Sequence, residues 1–303
     1  MSQRCLKTRR GEIAFPAYIP VTTFGKKYPL DDLIRPYLPR LAPAVMVSYH
    51  YAQALTPDTA LRLPTLIDSG GFAALFEGSR LRKQKGLGVL ELKREEGAGE
   101  EIERLHPKTV LEFQEAIADV AFTLDFPIPP SLEGKEAKRR QALTIANALW
   151  ALENRRRRDL PLYACIQAWD VGSARSCAKE YANAGFEGIA IGGLVPRARN
   201  AALVLDMVRA VREEVGDLPL HVLGLGNPKI LPRLFEAGVD SVDSSSYVKY
   251  AANGQLWGPS HRKLEEPTPT DRLHLALCNL ATATGQTLPL SVSQGLFSTL
   301  RTP

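Results

Sequence analysis

Eight short apolar segments rich in β-forming residues are the feature that most constrains the fold. They occur at 15–21, 43–49, 64–69, 120–126, 161–167, 188–194, 219–226 and 240–245. Helix-like stretches lie between most of them and are clearest at 136–157, 173–185, 201–216 and 228–238. Nearly continuous apolar strands that alternate with helices are typical of a parallel sheet buried on both faces. Eight such units predict a (β/α)8 TIM barrel.

A doubly wound open sheet is the main alternative fold. Such a sheet usually carries a glycine-rich phosphate-binding turn after its first strand, and this sequence has none. No internal repeat is evident, so 1–303 are interpreted as a single barrel domain. The PTPT sequence at 267–270 marks the exit from the barrel, and 266–303 are expected to form a C-terminal helical extension.

The composition narrows the class of protein. With 45% hydrophobic and 23% charged residues, the chain is typical of a globular protein with a substantial core. The basic start at 1–10 is not followed by an apolar segment, and no run of about 18 apolar residues occurs. A cytoplasmic protein without membrane contact is therefore expected. The four cysteines form no CxxC pair, which fits reduced thiols and argues against structural zinc.

The excess of positive charge, +5 overall, is concentrated in three short runs at 80–85, 138–140 and 155–158. Such runs often form exposed helix faces or helix C-termini. They can equally form a surface that contacts phosphates. The runs therefore permit nucleic-acid binding but do not establish it.

Polar residues and glycines follow the predicted strands at the points where the strands end. In chain order, they are Asp68, Asp125, Gln167, Gly192 with Gly193, Gly224 with Gly226, and Asp243. The carboxyl ends of barrel strands meet on one face, where barrel enzymes have their active sites. Each aspartate alone could cap a helix or stabilise a turn. Together they predict a site, either for nucleophilic and acid–base chemistry or, as an alternative, for Mg²⁺.

Several of these residues belong to motifs that resemble the tRNA-guanine transglycosylase family. The motifs are, in the same order as in that family, DSGGF at 68–72, TLDFP around Asp125, CIQ at 165–167, AIGGL at 190–194, VLGLGNP at 222–228 and VDSVDSSSYVKYAANGQ at 239–255. The resemblance implies a barrel enzyme that exchanges a guanine in a nucleic acid for a free 7-deazaguanine. The exchange would pass through a covalent glycosyl-enzyme intermediate.

The resemblance also implies a role for individual residues. Asp243 would be the nucleophile that attacks the sugar C1′, and Asp68 the general acid/base for the leaving and entering bases. Phe72 and Leu223 would sandwich the ring of the base, although Phe72 could also be an ordinary core residue. The residues expected to bind the edge and surroundings of the base are Asp125, Gln167, Gly192, Gly193, Leu194, Ser69, Gly70 and Gly71.

The chemistry of base exchange agrees with these roles. Breaking an N-glycosidic bond gives the sugar oxocarbenium character, which a carboxylate stabilises and can trap covalently. A second carboxyl group must protonate the departing purine and deprotonate its replacement. Two aspartates satisfy both needs without a cofactor. Asp125 would accept hydrogen bonds from a guanine-like base, so that pyrimidines and adenine would leave buried polar atoms unpaired.

The sequence departs from the tRNA-modifying members of this family after the barrel. Those members carry a CxCxxC…His zinc site, whereas the region after Gly254 holds only Cys278, His261 and His274. No metal site is therefore predicted.

Two further departures lie beside the predicted nucleophile and acid/base. Ala73 stands where the family has a glutamine, and Ser245 to Tyr247 replace an expected Thr-Arg. The departures resemble a shorter branch of the superfamily, deoxypurine-in-DNA protein A, which places 7-deazaguanines in DNA. DNA is thus expected as the polymer, with a free base such as 7-cyano-7-deazaguanine as the second substrate. A helper protein that opens the duplex would be a further partner.

Three alternatives stay open at this point. The first is a tRNA-guanine transglycosylase of the queuosine or archaeosine type. The second is a non-catalytic nucleic-acid-binding paralogue, against which the presence of both Asp68 and Asp243 argues. The third is an unrelated barrel hydrolase or lyase that uses Mg²⁺, which metal-dependent activity would distinguish.

Overall fold

A computed structural model describes 4–24, 29–53, 55, 62–96, 99–257, 263–286 and 288. The strands, in chain order, are β1 (Cys5–Thr8), β2 (Gly11–Ala14), β3 (Ala17–Pro20), β4 (Val45–Ser48), β5 (Thr65–Asp68), β6 (Arg80–Gln84), β7 (Leu87–Glu96), β8 (Gly99–Leu105), β9 (Val120–Phe122), β10 (Leu162–Ile166), β11 (Gly188–Ile191), β12 (Leu220–Val222) and β13 (Ser241–Ser244). The α-helices are α1 (Pro29–Ile34), α2 (Leu38–Leu41), α3 (Tyr49–Ala52), α4 (Pro107–Ile117), α5 (Gly134–Asn154), α6 (Val171–Ala182), α7 (Ala201–Val215), α8 (Leu231–Glu236), α9 (Ser246–Ala252) and α10 (Pro269–Thr284). Short 3₁₀ turns lie at Arg35–Tyr37, Gly71–Leu75 and Val195–Arg197.

Eight parallel strands form the centre of the protein, in the order β3-β13-β12-β11-β10-β9-β5-β4. A parallel bridge between Val21 and Met46 joins the two outer strands of this order. The Thr22 amide donates to the Met46 carbonyl at 3.0 Å beside that bridge. The ring of strands is therefore closed, and the predicted TIM barrel is confirmed. Each of the eight predicted segments contains one barrel strand, and α5 to α8 correspond to the four predicted helices.

The barrel strands are buried on both faces, which explains their continuous apolar sequences. One face fills the lumen with side chains such as Ile19, Met46 and Phe122. The other face packs outward against the helices, as Ile67 and Val222 do. Alternate residues of a strand point to opposite faces, so an apolar residue is needed at nearly every position.

The hairpin of β1 and β2 covers the amino-terminal end of the barrel. Arg4 pairs with Asp240 at 2.8 Å, just before β13 begins. Arg9 and Arg10 pair with Asp119 at 2.8 and 2.9 Å, just before β9 begins. These ion pairs use the basic residues of the chain start to close one end of the barrel. The carboxyl ends of the strands open at the other end.

A three-stranded antiparallel sheet, formed by β6, β7 and β8, is inserted between β5 and α4. The sequence predicted no such sheet, and the helical interpretation of the basic run at 80–85 is wrong, because this run forms β6. Lys85 and Gly86 connect β6 to β7, and both have positive φ values, 49° and 88°. This is the geometry of a two-residue hairpin turn, for which Asn-Gly would have been a clearer signal than Lys-Gly.

The other two basic runs are associated with α5. Residues 138–140 lie within that helix, and 155–158 follow its last residue. Arg155 forms a bidentate pair with Glu187, with both N···O distances at 2.6 Å. The helix-terminal interpretation is therefore correct for this run, and at least one of its arginines is used to hold the fold together.

The predicted C-terminal extension is described in part. Its helix is α10, which packs beside α1 and α9. Asn279 of α10 accepts from the Trp257 amide and donates to the carbonyls of Tyr247 and Gln255, which attaches the helix to the barrel. Residues 289–303 of the predicted extension lie outside the described residues. Across the described ranges, no helix is both long enough and apolar enough to cross a membrane.

Candidate active site

A cavity of about 920 Å³ lies where the barrel strands end. The predicted site residues among those that line it are Asp68, Gly70, Phe72, Asp125, Gln167, Gly192, Gly193, Leu223 and Asp243. Ser69 and Gly71 lie behind this lining and are buried, whereas the side chain of Leu194 packs into the main core. The cavity thus brings together side chains that are up to 175 residues apart in the chain.

Asp243 lies in β13 with its side chain directed into the barrel. Its Oδ1 accepts a hydrogen bond from the Gly224 amide at 3.0 Å. The same oxygen lies 3.0 Å from Nε2 of His221, whose Nδ1 is 2.8 Å from the Ser241 hydroxyl. Asp243 is only 6% exposed, and these contacts fix the orientation of its carboxylate at the base of the cavity.

Asp68 is the last residue of β5 and is partly exposed to the cavity. Burial raises the pKa of Asp68 to about 7, and the negative charges of Asp125 and Asp243 add to this effect. The amide of Gly70 donates to its carboxylate at 3.3 Å and opposes the shift. A carboxyl group that titrates near neutral pH can both donate and accept a proton, which is the requirement for a general acid/base.

Asp125 follows β9 and is buried. Its Oδ1 accepts from the Ser69 hydroxyl at 2.8 Å, and its Oδ2 accepts from the Gln167 amide at 2.6 Å. Burial raises the pKa of Asp125, while the two hydrogen bonds lower it. Oε1 of Gln167 is buried and has no hydrogen-bond partner. Because buried polar atoms are rarely left unpaired, this oxygen is available for a donor on a ligand.

Two glycines allow the loops to approach the Asp125–Gln167 pair. A Cβ atom at Gly71 would lie 1.9 Å from the backbone oxygen of Asp125. A Cβ atom at Gly192 would lie 2.2 Å from Nε2 of Gln167. Any side chain at these positions would displace backbone or the polar pair itself. The second glycine of DSGGF and the first of AIGGL are therefore required by close packing around the cavity.

Large apolar side chains are exposed at the rim of the cavity. Phe72 is 58% exposed and meets Phe76 edge-on, with 6.0 Å between ring centroids. Val195, which also lines the cavity, is 49% exposed. The interpretation of Phe72 as an ordinary core residue is therefore wrong. An exposed aromatic ring at a cavity rim is suited to stacking on a flat ligand.

Sequence reasoning missed several residues of the cavity and its floor, among them His221, His50, Phe76 and Lys249. His221 could have been found from the alternation of β12, because Leu220 and Val222 pack outward and the residue between them must face the lumen. For Phe76 and Lys249 no periodic signal exists. Phe76 directly follows the 3₁₀ turn Gly71–Leu75, and Lys249 lies in the short helix α9.

The alternative of a Mg²⁺ site would use the three cavity aspartates as ligands. In the ranges that the structure describes, no group of three or more His, Cys, Asp or Glu side chains has an arrangement that could hold a metal ion. Both oxygens of Asp125 are already engaged by Ser69 and Gln167. The described geometry therefore favours hydrogen bonding to an organic ligand at this position.

Comparison with known proteins agrees with this geometry. The sequence matches the family described as Queuine tRNA-ribosyltransferase over 4–270. The chain belongs to this family. Family members are guanine transglycosylases, so membership confirms the predicted class of enzyme and the family-level part of the resemblance.

Two relatives illustrate how far the likeness extends. A Queuine tRNA-ribosyltransferase of Cereibacter sphaeroides is 28% identical over 295 residues, which cover 88% of this chain and 75% of the relative. A tRNA-guanine(15) transglycosylase of Methanothermobacter thermautotrophicus is 26% identical over 257 residues, which cover 83% of this chain and 36% of the relative. The chain therefore spans well under half of the archaeal relative.

Proposed function

We propose that this protein exchanges a guanine base in a nucleic acid for a free 7-deazaguanine through a covalent intermediate on Asp243. The observation that carries the proposal is the pairing of two carboxyl groups with different environments at one cavity. Asp243 is oriented by the Gly224 amide and His221, whereas Asp68 has a pKa raised to about 7 by burial and by its acidic neighbours. Groups that differ in this way are suited to separate roles as nucleophile and proton carrier.

The proposed reaction has two halves. In the first, a carboxylate oxygen of Asp243 bonds to the sugar C1′ while the bond from C1′ to the guanine nitrogen breaks, and protonated Asp68 supplies the proton that the base requires. In the second, the entering base loses its proton to Asp68 and displaces Asp243 from C1′. Retaining glycosidases divide their work between two carboxyl groups in the same manner.

The base would bind with its edge against Asp125 and Gln167. Guanine and 7-deazaguanines present N–H donors on this edge, which match the acceptor oxygens of the pair. Adenine lacks this donor pattern and would leave the buried Oε1 of Gln167 unsatisfied. Phe72 at the rim would stack on the ring once the base has left the helical stack.

DNA is the polymer that we propose, in keeping with the deoxypurine-in-DNA branch. The main support is Ala73, which is 1% exposed and brings no polar side chain to its part of the cavity wall. Deoxyribose has no 2′-OH to be satisfied there. Residues 255–303 also contain a single cysteine, Cys278, in place of the CxCxxC cluster of tRNA-modifying members.

A tRNA substrate is the second candidate function. The specific observation in its favour is that the relatives described above are named for their action on tRNA. A lysine at the cavity, such as Lys249, can contact the phosphates of either polymer, so charge does not distinguish the two.

The test is incorporation of labelled guanine or 7-cyano-7-deazaguanine into single-stranded DNA, duplex DNA and tRNA, followed by nucleoside mass analysis. Asp243→Ala should abolish both exchange and any denaturant-stable adduct. Asp206→Ala, on the exposed surface of α7, is the matched control. Incorporation into tRNA alone would reject DNA, and undiminished exchange by Asp243→Ala would reject the covalent role.

A further inference from the structure

His221 lies in the lumen of the barrel and is fully buried. Its ring packs against Phe122, with 5.2 Å between centroids. Nδ1 is 2.8 Å from the Ser241 hydroxyl, and Nε2 is 3.0 Å from Oδ1 of Asp243. Both ring nitrogens and one ring face are thus held by neighbouring side chains, which leaves the imidazole no freedom to turn.

The partners of the ring determine where its hydrogen lies. An ionised carboxylate can only accept, so Nε2 of His221 must carry the hydrogen that faces Asp243. Nδ1 can then accept from the hydroxyl of Ser241. The hydrogen bond on one ring nitrogen fixes the tautomer, and hence the donor, on the other.

The two oxygens of Asp243 have different environments. Oδ1 receives the Gly224 amide and the Nε2–H of His221. Oδ2 forms no hydrogen bond within the part of the chain that the structure describes. The carboxylate therefore has one anchored oxygen and one that is free to react.

We propose that His221, oriented by Ser241, is a positioning residue that anchors Oδ1 of Asp243 so that Oδ2 attacks the sugar. The inference rests on the proposed function and deepens it. Oδ2 forms the bond to C1′ as the bond to guanine breaks, and the electron pair leaves with the base, which Asp68 protonates. When the entering base, having lost its proton to Asp68, bonds to C1′, the bond from C1′ to Oδ2 breaks and its electron pair returns to the carboxylate. The donors on Oδ1 stabilise the returning charge.

The experiment measures the two half-reactions separately. Formation of the denaturant-stable adduct is followed with nucleic acid alone, and its breakdown is followed after addition of free base. His221→Leu suits the apolar lumen but removes the donor, and its adduct should break down on the order of 10- to 100-fold more slowly. Formation should slow less, so the adduct should accumulate. His221→Gln retains an N–H donor and should recover part of the rate.

His274→Gln, on the partly exposed α10, is the control for loss of an imidazole. Half-reactions of His221→Leu that match those of the unchanged protein would overturn the inference while leaving the proposed function intact. Failure of the unchanged protein to form an adduct with any nucleic acid would instead reject the proposed function.

A measurement that does not need activity tests the anchoring itself. Nitrogen-15 spectra of the histidine rings should show His221 as the Nε2–H tautomer. Ser241→Ala should change its ring shifts, because it removes the hydroxyl that bonds Nδ1. An Nδ1–H tautomer in the unchanged protein would overturn the inference whether or not exchange is observed.

Discussion

The side-chain amide of Gln167 donates a 2.6 Å hydrogen bond to Oδ2 of Asp125, which leaves Oε1 of Gln167 buried and unpartnered. Ser69 holds the other oxygen of Asp125 at 2.8 Å. The three side chains form a fixed row at the cavity, and the unpaired oxygen is an acceptor whose partner must come from a ligand. The arrangement is thus incomplete without a donor-bearing molecule.

Gln167→Met should weaken binding of the free base. The substitution keeps a similar shape but removes the donor to Asp125 and the free acceptor. Leaving a buried N–H of the base without this acceptor costs about 1–3 kcal/mol, which corresponds to a roughly 5- to 150-fold rise in Kd. Calorimetric titration with 7-cyano-7-deazaguanine measures it. Gln84→Met, on the exposed strand β6, should bind normally, and equal affinities for both variants would count against the proposed base pocket.

Asp68 should give the exchange reaction a pH optimum near its pKa of about 7. Bond breaking requires protonated Asp68, so adduct formation should be fast below this pH and decline above it. Transfer to the entering base requires the ionised form, so adduct breakdown should show the opposite trend. Asp68→Asn should lose most of the activity and both pH trends. An unchanged pH profile in Asp68→Asn, with Asp206→Asn as control, would assign the titration to another group.

The same substitution should alter how stability depends on pH. The pKa of Asp68 is higher in the folded protein than its ordinary value of 3.8, so the folded state binds the proton more tightly. Stability is therefore lost as the pH rises from about 4 towards 7. Asp68→Asn removes this loss, and its Tm relative to the unchanged protein should be higher at pH 8 than at pH 4. A Tm difference that is independent of pH would mean that the pKa is not raised.

Phe72→Ala should impair base binding without loss of stability. The side chain is 58% exposed and contributes little to the core, whereas stacking on a base contributes about 1–3 kcal/mol. We expect the KM for the free base to rise roughly 10- to 100-fold, with the Tm unchanged. Leu33→Ala, which truncates an apolar side chain that is 46% exposed, should leave both quantities unchanged. A fall in Tm without a change in KM would indicate a structural role for Phe72.

Much of the barrel could be predicted from the sequence because each strand is buried on both faces and reads as an apolar run. The inserted sheet of β6, β7 and β8 could not be predicted in this way. In β6 charged residues predominate, with Arg80, Arg82 and Lys83 all exposed. The Lys85–Gly86 turn lacks the usual Asn or Asp. The strand β6 is held by its hydrogen bonds to β7 and is mostly exposed. Its sequence therefore has no alternation of apolar and polar residues from which a strand could be predicted.

Only those site residues that stand at strand ends or within the family motifs could be predicted from the sequence. Asp68 and Asp243 stand at strand ends, and a barrel brings such residues to one face. The unpaired Oε1 of Gln167 depends on the orientation of the side-chain amide. The contact between His221 and Asp243 depends on the register of β12 against β13. Both follow from three-dimensional packing that no local pattern encodes.

Lys249 should contribute to binding of the polymer rather than of the base. It is exposed on α9, lines the cavity near Asp243, and forms no ion pair within the described part of the chain. An ammonium group at this rim is suited to a phosphate beside the target nucleotide. Lys249→Gln should therefore weaken nucleic-acid binding and reduce the slope of log K against log salt concentration by about 0.7–0.9, since one phosphate contact is lost. The Kd of the free base should stay unchanged.

Lys7→Gln provides the matched control for this prediction, because Lys7 is exposed on the hairpin that closes the opposite end of the barrel. Its salt slope should equal that of the unchanged protein. Fluorescence anisotropy with labelled single-stranded DNA between about 50 and 200 mM salt covers the range in which such slopes are resolved. If both lysine variants lowered the slope equally, the loss would reflect net charge alone, and the phosphate contact assigned to the cavity rim would be wrong.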